Sequence, residues 1–209
     1  MFDKSMKTIL THLAAFVLGI IALPVILFIT VRIAPDAIPY LIKSTIGSTE
    51  PKDHGVARLQ KAKSEEDRFY ALGDAAKQAF TKGDYTDAKT YAEELATLAP
   101  KYKGNWNYGN AIQDSNVVLG RLALREGRVE DAKSHLIEAG KSPGSPQMNS
   151  FGPNVSLAKD LLEKGEKQIV IEYFTLCKSF WEMHRGRLDD WIALAQGGRV
   201  PDFGANLVY

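Results

Sequence analysis

The chain has 209 residues, with 26 basic against 25 acidic side chains and a formal net charge of +1. That balance argues against a dedicated nucleic-acid binder, which carries a basic excess, and it gives no bulk attraction to anionic lipid. One cysteine, Cys177, excludes an intrachain disulfide. The four histidines, His12, His54, His135 and His184, lie too far apart to show metal-ligand spacing. No metal and no cofactor is expected.

After a short flank, residues 1–7, the stretch Thr8 to Val31 holds no formally charged residue and is mostly Leu, Ile, Val, Ala and Phe. About 20 apolar residues suffice to cross a bilayer as a helix, and a transmembrane helix tolerates a proline such as Pro24. A cleaved signal peptide would have a shorter apolar core and a small-x-small cleavage site. Thr30-Val31-Arg32 offers no such site, so residues 8–31 are expected to stay as a single-pass anchor in the lipid bilayer. Lys4 and Lys7 in the short flank favour a cytoplasmic N-terminus, although Arg32 and Lys43 oppose it from the other side. The remaining domain is then expected outside the cytoplasm.

Residues 32–64 read as a linker. Pro35, Pro39 and Pro51, with Gly47 and Gly55, interrupt any long helix, and Val56 to Lys63 is a candidate short one. Beyond it the pattern changes. Ser64-Glu65-Glu66-Asp67 has a serine cap followed by acids where the helix dipole favours them. Phe69, Leu72, Ala75, Ala76, Ala79 and Phe80 recur at helical spacing, and Lys82-Gly83-Asp84 breaks the run. Tyr85, Ala88, Ala92, Leu95 and Leu98 continue a second helix, which Pro100 ends.

The same arrangement returns twice. Val117, Leu119, Gly120, Leu122, Ala123 and Leu124 precede Gly127; Val129, Ala132, Leu136 and Ala139 follow it, with Gly140 placed to stop the helix. Val155, Leu157, Ala158, Leu161 and Leu162 precede Gly165; Ile169, Val170, Tyr173, Phe174, Cys177, Phe180 and Trp181 follow. The pattern divides the chain into repeat 1 (65–100), an insertion (101–110), repeat 2 (111–142), an uncharged Pro/Gly loop (143–154), a divergent repeat 3 (155–185) and a capping helix with a tail (186–209).

Small residues where helices must cross closely (Ala76, Gly83, Ala88 and Ala92, then Gly120, Ala123, Gly127, Ala132 and Ala139) resemble those of tetratricopeptide repeats, helix–turn–helix units of about 34 residues. Repeat 3 departs from that pattern, with Val170 after its turn and no closing proline, and Leu72 and Asn116 replace the large aromatic usual in the first helix. The turn glycines are 44 and then 38 residues apart, so the array is irregular. The whole C-terminal part, from Gly144 through Gly204, also resembles bacterial repeat proteins of uncharacterised type, which implies a bacterial inner membrane and supplies no activity. The resemblance implies an all-α fold, antiparallel hairpins stacked as a short solenoid behind one transmembrane helix.

It also implies a binding site. First helices of that family line a concave groove, and basic residues there hold peptide carboxylates. Lys77, Arg121 and Lys159 each fall six residues before a turn glycine, and Arg125 adds a fourth cation. These are the expected partner-binding residues, directed at a protein or peptide with an acidic segment or a C-terminus; the alternative is ordinary solvated cations. In the insertion, Tyr102, Trp106 and Tyr108 form a candidate recognition patch, since aromatics favour interfaces, or else Trp106 plugs the gap between hairpins.

Pro143 to Asn154 carries no charge and is expected to pack down through Met148 and Phe151, with Gln147, Asn149 and Asn154 bonding to backbone. Asn154-Val155-Ser156 matches a glycosylation sequon, but Asn154 is better read as a helix cap. Leu188, Trp191, Ile192 and Ala195 mark a last amphipathic helix, and the apolar tail is expected to fold back on the repeats, the alternative being a peptide-like strand offered to a partner.

No phosphate-binding loop, H-E-x-x-H, paired cysteines or nucleophile elbow is present, and Glu182, His184, Asp189 and Asp190 read as solvated helix ends. The chain is expected to be no enzyme but a membrane-anchored interaction module, a scaffold or adaptor. Its rivals are a small-ligand protein or enzyme with a pocket under 143–154, and a permanent structural subunit of a membrane assembly.

Overall fold

The computed structural model describes residues 54–207; the proposed membrane span 8–31 lies outside them. The described chain is helical, with no strand. In order it forms α1 (Gly55–Gln60), α2 (Glu65–Lys82), α3 (Tyr85–Leu98), α4 (Tyr108–Arg125), α5 (Val129–Gly140), α6 (Pro146–Phe151), α7 (Ser156–Glu163), α8 (Lys167–Cys177) and α9 (Arg187–Gln196), with short 3-10 turns at Ala99–Tyr102, Glu182–His184 and Gly204–Leu207. Among the described residues no helix is long and apolar enough to cross a membrane.

Helix α2 starts where its cap dictates. The Ser64 Oγ accepts from the Asp67 N–H at 3.0 Å, and the Asp67 carboxylate accepts from the Ser64 N–H at 3.1 Å. This reciprocal box satisfies two donors that a helix end otherwise leaves open. The three hairpin turns share one geometry. Gly83, Gly127 and Gly165 have φ of +86°, +77° and +85°, which costs little only without a Cβ. The next residue's N–H then reaches back to Ala79, Ala123 and Leu161 at 2.9, 2.9 and 3.0 Å. That six-to-one bond is the Schellman closure of a helix C-terminus. The divergent third repeat thus makes the same turn as the other two.

Helix α2 pairs with α3, α4 with α5, and α7 with α8; α2 also touches α4, α4 touches α7, and α5 touches both α7 and α8. The small residues sit where these helices meet. Ala76, Ala88 and Ala92 are fully buried and pack with Val118 and Leu122 of the next hairpin. A Cβ on Gly120 would lie 2.3 Å from Leu157 Cδ2, so α4 and α7 approach as closely as this glycine allows. Arg68 adds a bidentate clamp from α2 to Glu94 on α3, both contacts at 2.6 Å.

The C-terminal end is the most aromatic part. Trp181, Tyr173 and Phe174 are fully buried, and Trp191 packs edge-on against Phe203 of the tail with ring centroids 5.0 Å apart. Asn206 then ties the tail to residues 151–155. Its Nδ2 donates to the Phe151 and Pro153 carbonyls at 3.0 and 2.9 Å, and its own carbonyl accepts from the Val155 N–H at 3.0 Å.

The candidate short helix at the end of the 32–64 linker forms as α1 and packs on α2, where the Val56 N–H donates to Gln78 at 2.7 Å. Three other expectations need correction. The 101–110 insertion is half helical, because the 3-10 turn runs to Tyr102 and α4 begins at Tyr108. The Pro/Gly loop contains α6, capped by the Ser145 hydroxyl, which accepts from the Met148 N–H at 3.1 Å, with Pro146 in the first turn where a missing N–H costs nothing. Within it Met148 is buried, but Phe151 is 75% exposed and anchors nothing. Phe151 is the last residue of α6, one turn beyond Met148 and past the contact that buries it.

Candidate functional site

A cleft of about 570 Å³ opens between α2, the start of α4 and the 147–154 segment, with Ala205 and Asn206 of the tail and Arg187 of α9 at its edge. The 143–154 segment is held in place by close backbone packing. A Cβ on Gly109 would fall 1.8 Å from the Gly144 carbonyl oxygen, so α4 and the loop touch backbone to backbone. Ser142 Oγ donates to the Gly109 carbonyl at 2.8 Å, and the Asn154 N–H donates to Gln113 Oε1 at 3.2 Å. Loop and α4 therefore form one wall.

Of the four expected basic residues Lys77 alone lines the cleft, and together they do not form an open stripe. Lys77 is largely buried and its Nζ lies 3.0 Å from Asp114 and 3.2 Å from Asp74. Asp74 also meets Arg58 of α1 at 3.2 Å. Arg121 meets Asp160 at 2.7 Å, and its guanidinium sits 4.4 Å above the Phe80 ring. Lys159 pairs with Glu163 one turn along its own helix. Arg125 stacks on Tyr85 at 3.8 Å. Lys77–Asp114 ties α2 to α4, and Arg121–Asp160 ties α4 to α7, so two of the aligned cations form rungs between successive hairpins. Facing helices supply the carboxylates that match Lys77 and Arg121, and its own helix supplies the one that matches Lys159.

Asp114 rests against Gly73, where a Cβ would be 2.6 Å from its Oδ2. Burial pushes the Asp114 carboxyl above its usual range against the pull of Lys77. Burial alone would lower Lys77, but Asp114 and Asp74 more than offset it and hold the ammonium above the ordinary lysine value. Two cations and two carboxylates thus close on one another in the cleft wall.

The aromatic residues divide. Tyr102 stacks on Phe69 at 4.3 Å and belongs to the packing. Tyr108 is the first residue of α4 and packs on the same apolar cluster. Trp106 does line the cleft; it stacks on Tyr70 at 5.7 Å and is 52% exposed, so it does not plug a gap. Phe151 lines the cleft too.

Sequence reasoning missed Asp114, Tyr70 and the amides Asn107, Asn110, Gln113 and Asn206. One signal was available: Asp114 and Arg121 are seven residues apart and share a helix face. Cys177 is buried, and its thiol is pushed up by that burial, which keeps it protonated and unreactive. Among the described residues no group of His, Cys, Asp and Glu could hold a metal ion. The chain matches no family model, no curated protein and no solved structure.

Proposed function

We propose that the chain is a membrane-anchored interaction module, a scaffold or adaptor that binds a protein partner in this cleft. In this reading the three hairpins form a short tetratricopeptide-like solenoid. The run of contacts from α2 to α4 to α7 supports that reading, and α9 with the tail caps the stack, as a repeat array requires. Residues 8–31 hold the module at a bilayer, with the domain outside the cytoplasm. The observation that carries the reading is the cleft itself, walled by two first helices and a built-down loop, with an exposed tryptophan on its surface.

The rival reading, a small-ligand site or enzyme, draws on the same cleft because residues 147–154 line it. The carboxylates in the wall, Asp74 and Asp114, are both held by Lys77, an arrangement suited to fixing helices rather than moving protons.

The test is affinity capture with the full chain solubilised from membranes in mild detergent. The native chain is expected to retain a defined protein partner. Trp106→Ala should lose most of that partner, by about 2 kcal/mol or more for an aromatic hot spot, while Lys89→Ala, away from the cleft, should keep it. Equal capture by both variants would remove the cleft from the interaction.

A further inference from the structure

The cleft also says what kind of segment enters it. Building on the reading of the cleft as a partner-binding surface, we propose that its occupant is an extended, uncharged peptide segment carrying a proline or aromatic side chain, not an acidic segment or a chain terminus.

Charge narrows the choice first. Arg58, Asp74, Lys77 and Asp114 are joined by contacts of 3.0 to 3.2 Å. An incoming carboxylate would have to compete with Asp74 and Asp114 for Lys77, and would stand beside two like charges. An incoming cation meets the mirror problem. Arg187 is the remaining charged residue of the lining, and its guanidinium already lies 4.7 Å from the Trp181 ring while Nε donates to the His184 carbonyl at 3.3 Å. The wall therefore favours a ligand that brings no charge to Lys77.

The shape and surface of the cleft favour a flat apolar group. Tyr70 and Trp106 are stacked with their planes 25° apart, and Trp106 leaves half of its surface in water. Phe151, at 75% exposure, lines the same cleft from the loop. Flat apolar side chains stack on such faces and bury large areas at little entropic cost. Proline has the further advantage of a chain already extended.

Side-chain amides of the lining favour a main chain. Among the described residues, Gln147 makes no side-chain hydrogen bond. The Asn107 Oδ1 and the Asn154 Oδ1 are engaged, by Asn110 and Ser156, and their Nδ2 groups have no partner. A primary amide offers a donor and an acceptor at the spacing of a peptide group. Here Gln147 offers both and Asn107 and Asn154 a donor each, which suits a main chain in extended form, whose own N–H and C=O groups are all free.

The experiment uses the full chain in detergent, applied to an array of short synthetic peptides. One set is neutral with proline and tyrosine, one is acidic with a free C-terminus, and one is neutral with only glycine and serine. A neutral soluble oligosaccharide serves as competitor. The proline/tyrosine set should retain the chain in preference to the other two, and Trp106→Ala should weaken that retention about 30-fold, the size of a lost aromatic hot spot. Gln147→Ala should weaken it less, without changing the melting temperature. Retention by the acidic set would overturn the inference while leaving partner binding intact. Displacement of peptide by the oligosaccharide would assign the cleft to sugars and overturn it too. If no set is retained by a chain that still captures its protein partner, the cleft does not take a linear segment. If no partner is captured either, it is the binding function that fails.

Discussion

Gly109→Ala is expected to lower the stability of the domain by about 3 kcal/mol, the upper range for overpacking a well-filled contact. For a domain of this size that is a fall of roughly 6–12 °C in melting temperature. The sign is what matters. Alanine in place of glycine within a helix ordinarily stabilises by about 0.5–1 kcal/mol. Here the added methyl carbon would lie 1.8 Å from the Gly144 oxygen and 2.4 Å from its carbonyl carbon. Neither atom is the far end of a flexible side chain, so α4 and the 143–154 segment must part. The cleft wall goes with them, and partner binding should fall together with stability. Gly104→Ala is the control, since nothing lies within 4 Å of its Cβ position. A thermal melt followed by circular dichroism decides it. An unchanged or raised midpoint for Gly109→Ala would mean that the loop does not rest on α4.

Lys77→Met should cost about 3–5 kcal/mol, because it leaves the buried Asp114 carboxylate without its main counter-charge. Removing both partners in Lys77→Met/Asp114→Leu should recover much of the loss, since an apolar pair of similar volume often replaces a buried ion pair at little cost. The pH dependence carries the signature. In the single variant Asp114 keeps its upward shift from burial and loses the opposing pull of Lys77. A carboxyl raised in the native state favours folding while protonated, and that contribution is lost as pH rises through its native value. The deficit relative to the native chain should therefore be smallest in acid and grow toward neutral pH. A deficit independent of pH in urea titrations would show that Lys77 acts through packing of its aliphatic stem rather than through Asp114.

Much of the scaffold was legible because it is local. The periods of Phe69 to Phe80 and of Val117 to Leu124 are set by 3.6-residue spacing, and Ser64 with Asp67 announces a helix start in four residues. The turn glycines need no distant information either: the chain must enter the left-handed region to reverse there, and glycine does so freely. The cations at 77, 121 and 159 were found by aligning those turns. What alignment could not give was their surroundings. Whether Lys77 faces solvent or Asp114 depends on how far α2 slides against α4, a packing register that no local pattern records.

The loop was read in part: its lack of charge pointed to packing through Met148, but its prolines and glycines hid a helix. Ser145 followed by Pro146 is a cap and first-turn pair, and the single turn that follows buries Met148 and leaves Phe151 outside. Asn206 could not have been assigned from the sequence at all, because its partners Phe151 and Pro153 are more than fifty residues away. The Trp106 reading suffered similarly: an aromatic in an insertion is visible, but its stacking on Tyr70 is tertiary.

The central claim, that this cleft is where a protein partner sits, is tested most directly by site-specific photo-cross-linking. A photoreactive amino acid is placed at position 106 of the full chain in native membranes, and a second is placed at position 89, on exposed α3 surface outside the cleft lining. The account predicts a discrete covalent adduct with another protein from position 106, mapping to an uncharged segment of that protein, and none from position 89. Adducts from position 89 with none from position 106 would contradict it.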